Sequence, residues 1–164
     1  MTKWTAVLGV ALALTLSACG SSSKNSAAEQ ALQQQADYWA IDQIERTWHR
    51  AASTKNVDLM MTLWAPGATF NIGTQTLQGK GQIRKFFETA GPFKPGNHWV
   101  SDTPAYKIRI TASGDKGTLY FECHYLDAKT GKLKALVGAD QNVQKIDGKW
   151  LITTAASATP KLGS

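Results

Sequence analysis

The hydrophobic positions of the chain follow a helical period in its first half and an alternating period in its second half. From Tyr38 onwards, apolar side chains recur every three or four positions, at Ile41, Ile44 and Trp48. Charged residues, Glu45 among them, are assigned to the polar side of the same helical wheel. This segment therefore predicts an amphipathic helix.

Two shorter helices are predicted further along the chain. Asn56 has the side chain of an N-cap, and the apolar run that follows it ends at the Pro66-Gly67 pair. Residues 81–90 carry apolar side chains at helical spacing and are followed by a glycine, which favours the end of a helix. Short strands are predicted between these two helices, over residues 68–72 and 74–77.

Beyond residue 97 the hydrophobic period becomes two, which is typical of half-buried strands. Four strand segments are predicted, over residues 98–112, 118–127, 133–146 and 149–156. They are joined by glycine-containing turns, of which Asp147-Gly148 is the tightest hairpin signal. Helices followed by an antiparallel meander predict an α+β fold.

The N-terminus has the pattern of a secretory signal over residues 1–18. Lys3 supplies the positive end, and the apolar stretch 4–16 is too short to cross a bilayer as a helix. The segment runs into Leu-Ser-Ala-Cys at residues 16–19, which resembles the bacterial lipobox. That resemblance implies cleavage before Cys19, lipidation of its thiol and anchoring in a membrane of the cell envelope, facing the periplasm or the exterior. The alternative is an ordinary secretory signal followed by a chance cysteine.

The predicted organisation has four parts. They are a lipoprotein signal over residues 1–18, the lipidated Cys19 with a flexible tether over 19–36, a folded domain over 37–158, and a C-terminal tail over 159–164. The tether begins Gly-Ser-Ser-Ser, which is typical of a flexible linker, and it is expected to become helical only toward its end.

The amino-acid composition shows an excess of basic over acidic residues and only two cysteines. The chain has 164 residues, with 18 Lys and Arg against 12 Asp and Glu, a net charge of +6. The basic residues are scattered rather than interleaved with aromatics, so nucleic acid is not expected as a partner and anionic lipid is the simpler one. Two cysteines cannot form a disulfide framework, and Cys123 is expected to be a buried thiol.

Two phrases stand out in the predicted domain: Leu-Trp-Ala-Pro-Gly-Ala-Thr-Phe at residues 63–70 and Ile-Asp-Gly-Lys-Trp-Leu-Ile at residues 146–152. With the order of the elements, they resemble the nuclear transport factor 2-like (NTF2-like) superfamily, above all its SnoaL-like and ketosteroid-isomerase-like branches. The resemblance covers about residues 38–157. It implies a cone of three N-terminal helices packed in a strongly curved, mostly antiparallel sheet, with one apolar pocket. Dimers are the habit of the superfamily, so a homodimer is among the expected assemblies.

The implied cone gives a set of residues that would line its pocket. They are Trp48, Trp64, Phe70, Ile72, Trp99, Cys123, Asp140 and Asn142. Core packing is the alternative account of the tryptophans. If the cone is not filled, the same rings would surround a small, flat or apolar ligand.

The isomerase branch needs a carboxylate base and acidic hydrogen-bond donors to an enolate. When its pattern is laid along this chain without a gap, the tyrosine donor falls on Trp48 and the general-base aspartate falls on Ile72. The second acidic donor falls near Asp140 or Asn142. Because isoleucine cannot take up a proton, the ketosteroid-isomerase mechanism is not expected.

Other chemistry would rest on His98 and Asp140, and each has a second interpretation. Histidine changes charge near neutral pH, so His98 could act as a general base, or it could be a loop-end residue with one backbone hydrogen bond. Asp140, if enclosed in the cone, would serve as acid, base or ligand anchor; otherwise it is a surface residue near a β-bulge. The three histidines show no metal spacing, so neither a metal nor another cofactor is expected.

Three functions stay open at this point. The first is a lipid-anchored domain that binds a small apolar ligand or an envelope partner without the isomerase mechanism. The second is a SnoaL-like enzyme (isomerase, cyclase, dehydratase or hydrolase) that uses Asp140 and His98. The third is an accessory or dimerisation module that binds its partner through the convex sheet face, where strand alternation places Tyr120, Glu122 and His124.

Overall fold

The computed structural model describes residues 22–101, 105–158 and 160. Its first element is a long helix, α1 (Ser22–Ser53), which begins well before the predicted start at Tyr38. The segment predicted as a tether is therefore helical from residue 22 onwards. The predicted signal, the lipidation site Cys19 and most of the predicted tail lie outside the described residues.

Composition explains the longer helix. Residues 27–36 are Ala, Gln, Glu and Leu, which are all strong helix formers. Their side chains are exposed, so this part of α1 has no buried apolar stripe that a hydrophobic pattern could reveal. None of the helices in the described residues is long and apolar enough to cross a membrane.

The second helix, α2 (Val57–Met61), begins where it was predicted. The side chain of Asn56 accepts a hydrogen bond from a backbone N–H of the first turn at 2.8 Å, which confirms the N-cap. The helix ends sooner than predicted, and Pro66 lies inside strand β1 (Trp64–Ile72). The ladder between β1 and the last strand shifts register around this proline, which is where a sheet tolerates one.

The remaining elements follow the predicted order. Strand β2 (Gln75–Gln78) leads into helix α3 (Gly79–Thr89), and a 3-10 turn follows at Gly91–Phe93. The first long strand of the prediction is divided into β3 (Trp99–Ser101) and β4 (Tyr106–Ser113). The last three strands are β5 (Lys116–Asp127), β6 (Leu133–Ile146) and β7 (Lys149–Ala158).

The strands form one curved sheet in the order β2-β1-β7-β6-β5-β3, and β4 also pairs with β5. Neighbouring strands run antiparallel except β1 and β7, which are parallel. The turn at Asp147-Gly148 has positive φ at both residues, 49° and 76°, as the predicted two-residue hairpin requires. The helices pack on one face of the sheet, and this inner face forms the core. The predicted α+β cone is confirmed.

Candidate functional site

Aromatic rings fill the interior between the helices and the sheet. Trp48 of α1 lies at the centre, with its ring centroid 5.9 Å from Trp64, 5.4 Å from Phe87 and 5.7 Å from Phe121. Phe70 packs on Trp64 at 5.3 Å. All five side chains are buried. These distances are those of packed aromatic pairs, so the rings occupy the space that an apolar ligand would need.

Two other predicted pocket residues lie at the margin of this cluster. Ile72 is half-buried at the end of β1. Trp99 is half-buried as well, with its ring centroid 6.3 Å from that of Tyr125. Trp99 also lies close above Gly91, where a Cβ atom would come within 3.2 Å of the indole. Both side chains therefore extend the core rather than line an open cavity.

A chain of three polar side chains crosses the apolar interior. The Nε2 atom of His49 lies 3.2 Å from the Sγ of Cys123, and its Nδ1 atom lies 3.4 Å from Oε1 of Glu45. Glu45 and His49 are one turn apart on α1, and all three residues are buried. The order carboxylate, imidazole, thiol is the order in which an acid orients a base that faces a nucleophile.

Among the described residues, only one carboxylate oxygen of Glu45 has a hydrogen-bond partner. Its Oε1 accepts the backbone N–H of Ala105 at 2.8 Å, whereas its Oε2 is buried without a hydrogen-bond partner among the described residues. Burial raises the pKa of Glu45, and the carboxylate of Asp42 adds to the rise against the hydrogen bond from Ala105. A carboxyl group with a raised pKa inside a core is suited to holding and transferring a proton.

Cys123 is less suited to act as a nucleophile. The residue is 2% exposed, and burial raises the pKa of its thiol to about 12. The thiolate is the reactive form, and at neutral pH this group stays a thiol. Across the described ranges, no three His, Cys, Asp or Glu side chains come together as a metal site would require. The interior chemistry therefore rests on Glu45 and His49.

Asp140 and Asn142 lie on the outer face of the sheet, not in the cone, which corrects the prediction. Between residues 139 and 143 of β6 the buried positions are Ala139, Gln141 and Val143, and the two residues between them are exposed. The phase was mispredicted because small and polar residues occupy both faces of β6. A strand with so weak an alternation does not reveal which face is inward.

His98 is exposed, and the structure does not bring it together with Asp140. The carbonyl of His98 accepts the backbone N–H of Ala128 at 2.8 Å, just past the end of β5. Asp140 pairs with Tyr120, near the middle of the same strand. At about 3.3 Å per residue, the intervening stretch spans roughly 20 Å or more, too far for both side chains to act on one atom.

The outer face of β5 carries a second buried polar group. The hydroxyl of Tyr120 donates a 2.7 Å hydrogen bond to Oε1 of Glu122, and the Nζ of Lys107 lies 4.0 Å from the same oxygen. Glu122 is only 1% exposed although it faces outward. Burial and the bond to Glu122 raise the pKa of Tyr120 to about 12, so its phenol stays protonated and donates.

A shallow trough of about 450 Å³ crosses the outer face beside this group. It includes Arg109, Thr111, Thr118, Tyr120, Asp140, Asn142, Thr154 and Ala156. The guanidinium of Arg109 lies 4.4 Å from the ring centroid of Tyr120, and Asp140 pairs with Tyr120 from the other side. A cation and an anion therefore flank one aromatic residue on three neighbouring strands.

The sequence also matches a known protein family. The profile of the SnoaL-like domain covers residues 33–156. The chain belongs to the SnoaL-like family. No curated protein gives a significant sequence match.

Solved structures place this SnoaL-like domain in the NTF2-like fold. An NTF2-like protein of Novosphingobium aromaticivorans with a cystatin-like fold superposes with a TM-score of 0.68 at 12% identity, over 89% of this chain and 94% of that one. A Streptomyces avermitilis protein, provisionally named a dehydratase of the NTF2-like family, gives 0.61 at 14% identity, over 77% and 98%. A Shewanella frigidimarina protein, provisionally named a ketosteroid isomerase, gives 0.59 at 15% identity, over 73% and 94%. At such identities the similarity shows the fold alone.

The SnoaL-like domain holds buried polar residues that the sequence analysis did not single out. Glu45 was placed on the polar side of α1, yet it follows Ile41 by four positions and precedes Trp48 by three, which puts it in the apolar stripe. That spacing, and the i, i+4 relation of Glu45 to His49, is the signal that could have found the pair. Gln141 has no comparable signal, because its burial depends on the phase of β6.

Proposed function

We propose that the chain is a lipid-anchored SnoaL-like domain of the cell envelope that binds a second copy of itself through the outer face of its sheet. One observation carries the proposal, the contrast between the two faces. Packed aromatic rings occupy the inner face, whereas the trough, with Arg109 and Asp140 on either side of Tyr120, lies open on the outer face.

The outer face carries opposite charges that can pair in a symmetric contact. In a two-fold symmetric contact the same patch meets its own copy, so Arg109 of one chain can face Asp140 of the other. Most of the other residues along the trough, such as Thr111, Thr154 and Ala156, are small, and they allow two sheets to approach closely. On the same face Glu122 is only 1% exposed and accepts a hydrogen bond from the hydroxyl of Tyr120, so the ring of Tyr120 is held in place beside the trough.

The anchor rests on the lipobox resemblance at Cys19 and on the charge of the chain. The full chain has a net charge of +6, of which Lys3 in the predicted signal contributes one, and the remaining positive balance suits an anionic lipid surface. The small apolar ligand foreseen from the sequence has less support, because Trp48, Trp64 and Phe70 would have to separate to admit it.

A second candidate function is a SnoaL-like enzyme whose acid–base groups are Glu45 and His49 rather than Asp140 and His98. The observation that favours it is the raised pKa of a fully buried Glu45 beside His49. Titratable groups whose pKa is shifted by burial next to a second titratable group are candidates for a functional site. A substrate would then enter the space held by the aromatic rings.

Native mass spectrometry of the full chain in detergent distinguishes these functions. The dimer proposal predicts a dimer for the wild type and mostly monomer for Asp140→Lys, which would oppose like charges across the symmetric contact. Glu88→Lys makes the same charge change on the exposed side of α3 and should remain dimeric. A monomeric wild type would overturn the proposed partner. A small-molecule adduct kept in Asp140→Lys and lost in Glu45→Gln would support the enzyme.

The anchor has its own test. Cys19→Ser should move the protein from the membrane fraction to the soluble fraction of cells. Retention of the variant in the membrane fraction would contradict the lipid anchor, whatever the result for the dimer.

A further inference from the structure

One side of α1 faces solvent and carries large apolar side chains. Six large apolar side chains are exposed in the described residues, and three of them, Leu32, Tyr38 and Trp39, lie within a short stretch of α1. Leu32 is 66% exposed and Trp39 is 67% exposed. Because seven residues make two helical turns, Leu32 and Trp39 lie on the same side of the helix.

Basic residues continue this side of the helix. Arg46 follows Trp39 by seven positions, and Arg50 comes one further turn along; both are exposed. Arg46 is paired with Asp42 at 2.6 Å, which offsets part of its charge. The buried side chains of α1 lie on the opposite side. The outward stripe of α1 therefore consists of Leu32, Trp39, Arg46 and Arg50.

A groove of about 470 Å³ runs beside the outward stripe. It is bounded by α1, by α2 and by the turn between β6 and β7, and its walls include Trp39, Arg50, Leu59 and Lys149. The described residues that line it comprise two cations and no carboxylate, although Asp147 stands next to it at the tip of the turn. An exposed indole, an apolar wall and positive charge are therefore adjacent.

We propose that the outward stripe and this groove rest on the anionic surface of a lipid bilayer, with α1 lying parallel to it. Tryptophan favours the interface between hydrocarbon and headgroups, and arginine and lysine are attracted to anionic headgroups. This inference rests on the lipid anchor of the proposed function.

The position of the predicted anchor supports this orientation. Cys19 precedes the first residue of α1, Ser22, by three positions. At 1.5 Å per residue, α1 measures about 26 Å from Ser22 to Trp39. An anchor at the start of the helix and an indole this far along it reach the same membrane surface when the helix axis lies along that surface.

The orientation leaves the dimer surface free. The opposite side of α1 packs on the inner face of the sheet, against β3, β4, β5 and β7. When the outward stripe faces the membrane, the outer face of the sheet points away from it. The trough around Tyr120 is then accessible to a second copy anchored nearby.

Hydroxyl-radical footprinting, read residue by residue by mass spectrometry, tests the inference on the full chain. The wild type is bound to vesicles of phosphatidylcholine mixed with phosphatidylglycerol, and the lipid-free Cys19→Ser chain is the reference. Oxidation of Trp39 should fall several-fold on the vesicles. Oxidation of Tyr106, which is 56% exposed on the outer face, is the comparison within the same sample and should fall less.

The possible outcomes test the membrane contact of the outward stripe separately from the lipid anchor. If the chain floats with the vesicles while Trp39 is oxidised as fully as in the reference, the inference is overturned and the anchor stands. If the wild type does not float with the vesicles, the anchor itself fails and the inference fails with it. Protection of Trp39 in the lipid-free chain that rises with protein concentration would assign the stripe to a second copy and overturn the membrane contact.

A matched pair of variants adds a second readout. Trp39→Asp should restore oxidation of Leu32, which lies on the same outward stripe, several-fold on vesicles, because a carboxylate is repelled by anionic headgroups. Tyr106→Asp introduces the same side chain on the outer face and should leave Leu32 protected. Equal protection of Leu32 in both variants would overturn the inference. Because both positions are exposed, both variants are expected to fold, and circular dichroism checks that they do.

Discussion

His49 of α1 and Cys123 of β5 meet in the core, with Nε2 3.2 Å from Sγ, although 74 positions separate them in the sequence. The contact lies among aromatic rings, and the ring of His49 is 5.5 Å from that of Phe121. A polar contact in such surroundings has geometric requirements that apolar packing lacks. It therefore helps to fix how α1 is seated on the inner face of the sheet.

The thiol of Cys123 is expected to be unreactive in the folded chain. It is buried, and burial raises its pKa to about 12, so the thiolate is scarce at pH 8. In the Cys19→Ser chain, where Cys123 is the one remaining cysteine, Ellman's reagent should react only after urea is added. Fast labelling without denaturant would show that the thiol is accessible and activated by His49, which would favour the enzyme.

Glu45 gives stability a pH dependence of defined sign. Burial raises its folded pKa above the ordinary value of 4.5, so its contribution is present below that value and is lost as the pH rises through the folded pKa. Glu45→Gln removes this titration. The free energy of unfolding of the variant minus that of the wild type should therefore increase with pH across this window, as measured by urea unfolding. Glu88→Gln, on the exposed side of α3, should show no such trend, and a flat difference for Glu45→Gln would refute the assignment.

Asp37 ties α1 to the last hairpin. Its Oδ1 accepts hydrogen bonds from Lys145 Nζ at 2.5 Å and from Trp150 Nε1 at 3.0 Å. Burial acts to raise the pKa of Asp37, but these bonds and one from Gln33 outweigh it, so the pKa is lowered. The contribution is present above the unfolded pKa and is lost as the pH falls through the folded one.

Asp37→Ala should therefore cost about 1–3 kcal/mol of unfolding free energy at pH 7, and less in acid. Chemical denaturation at both pH values measures the cost. Glu29→Ala, an exposed carboxylate on the same helix, is the control and should change stability by less than about 0.5 kcal/mol. A cost for Asp37→Ala that does not diminish in acid would contradict the ion-pair account.

Trp48 and Trp39 lie on the same helix but differ in burial, so they form a matched pair. Trp48→Ala should lower the free energy of unfolding by about 3–5 kcal/mol, because it leaves a cavity among packed rings. Trp39→Ala should change it by less than about 0.5 kcal/mol, because the indole is 67% exposed. Equal costs in thermal or urea unfolding would show that the cluster is not packed as described.

Gly138 lets the hydroxyl of Tyr120 reach Glu122. A Cβ at this position would lie 2.9 Å from the carbonyl oxygen of Ala158 and 3.2 Å from the hydroxyl of Tyr120. Gly138→Ala should therefore cost about 1–3 kcal/mol. Gly67→Ala is the control in the same unfolding assay, because a Cβ at Gly67 would meet nothing within 4 Å.

Local chemistry explains the parts of the fold that the sequence predicted well. The N-cap at Asn56 and the hairpin at Asp147-Gly148 depend on residues next to them in the chain, and both occur as predicted. The start of α1 was missed, because its first turns are exposed helix formers with no apolar stripe. The Pro66-Gly67 pair predicts the end of a helix, whereas in the structure the register shift in β1 accommodates Pro66 within the strand.

The candidate sites were harder to predict, because they depend on contacts between distant elements. The inward or outward direction of Asp140 follows from the register between β5 and β6, which the composition of β6 does not reveal. The contact of His49 with Cys123 depends on how α1 packs against the sheet, which the sequence around either residue does not show. The burial of Glu122 on an outward face likewise depends on its neighbours, Tyr120 and Lys107.

The central claim is that a second copy of the chain docks on the outer face of the sheet. Site-specific photo-cross-linking in intact cells tests it most directly, with the photoreactive residue placed at Asn142, an exposed position in the trough. The account predicts a covalent product of twice the mass of the chain from Asn142, and none from the same residue placed at Glu88. Only monomer from Asn142, or equal yields of dimer from both positions, would contradict it.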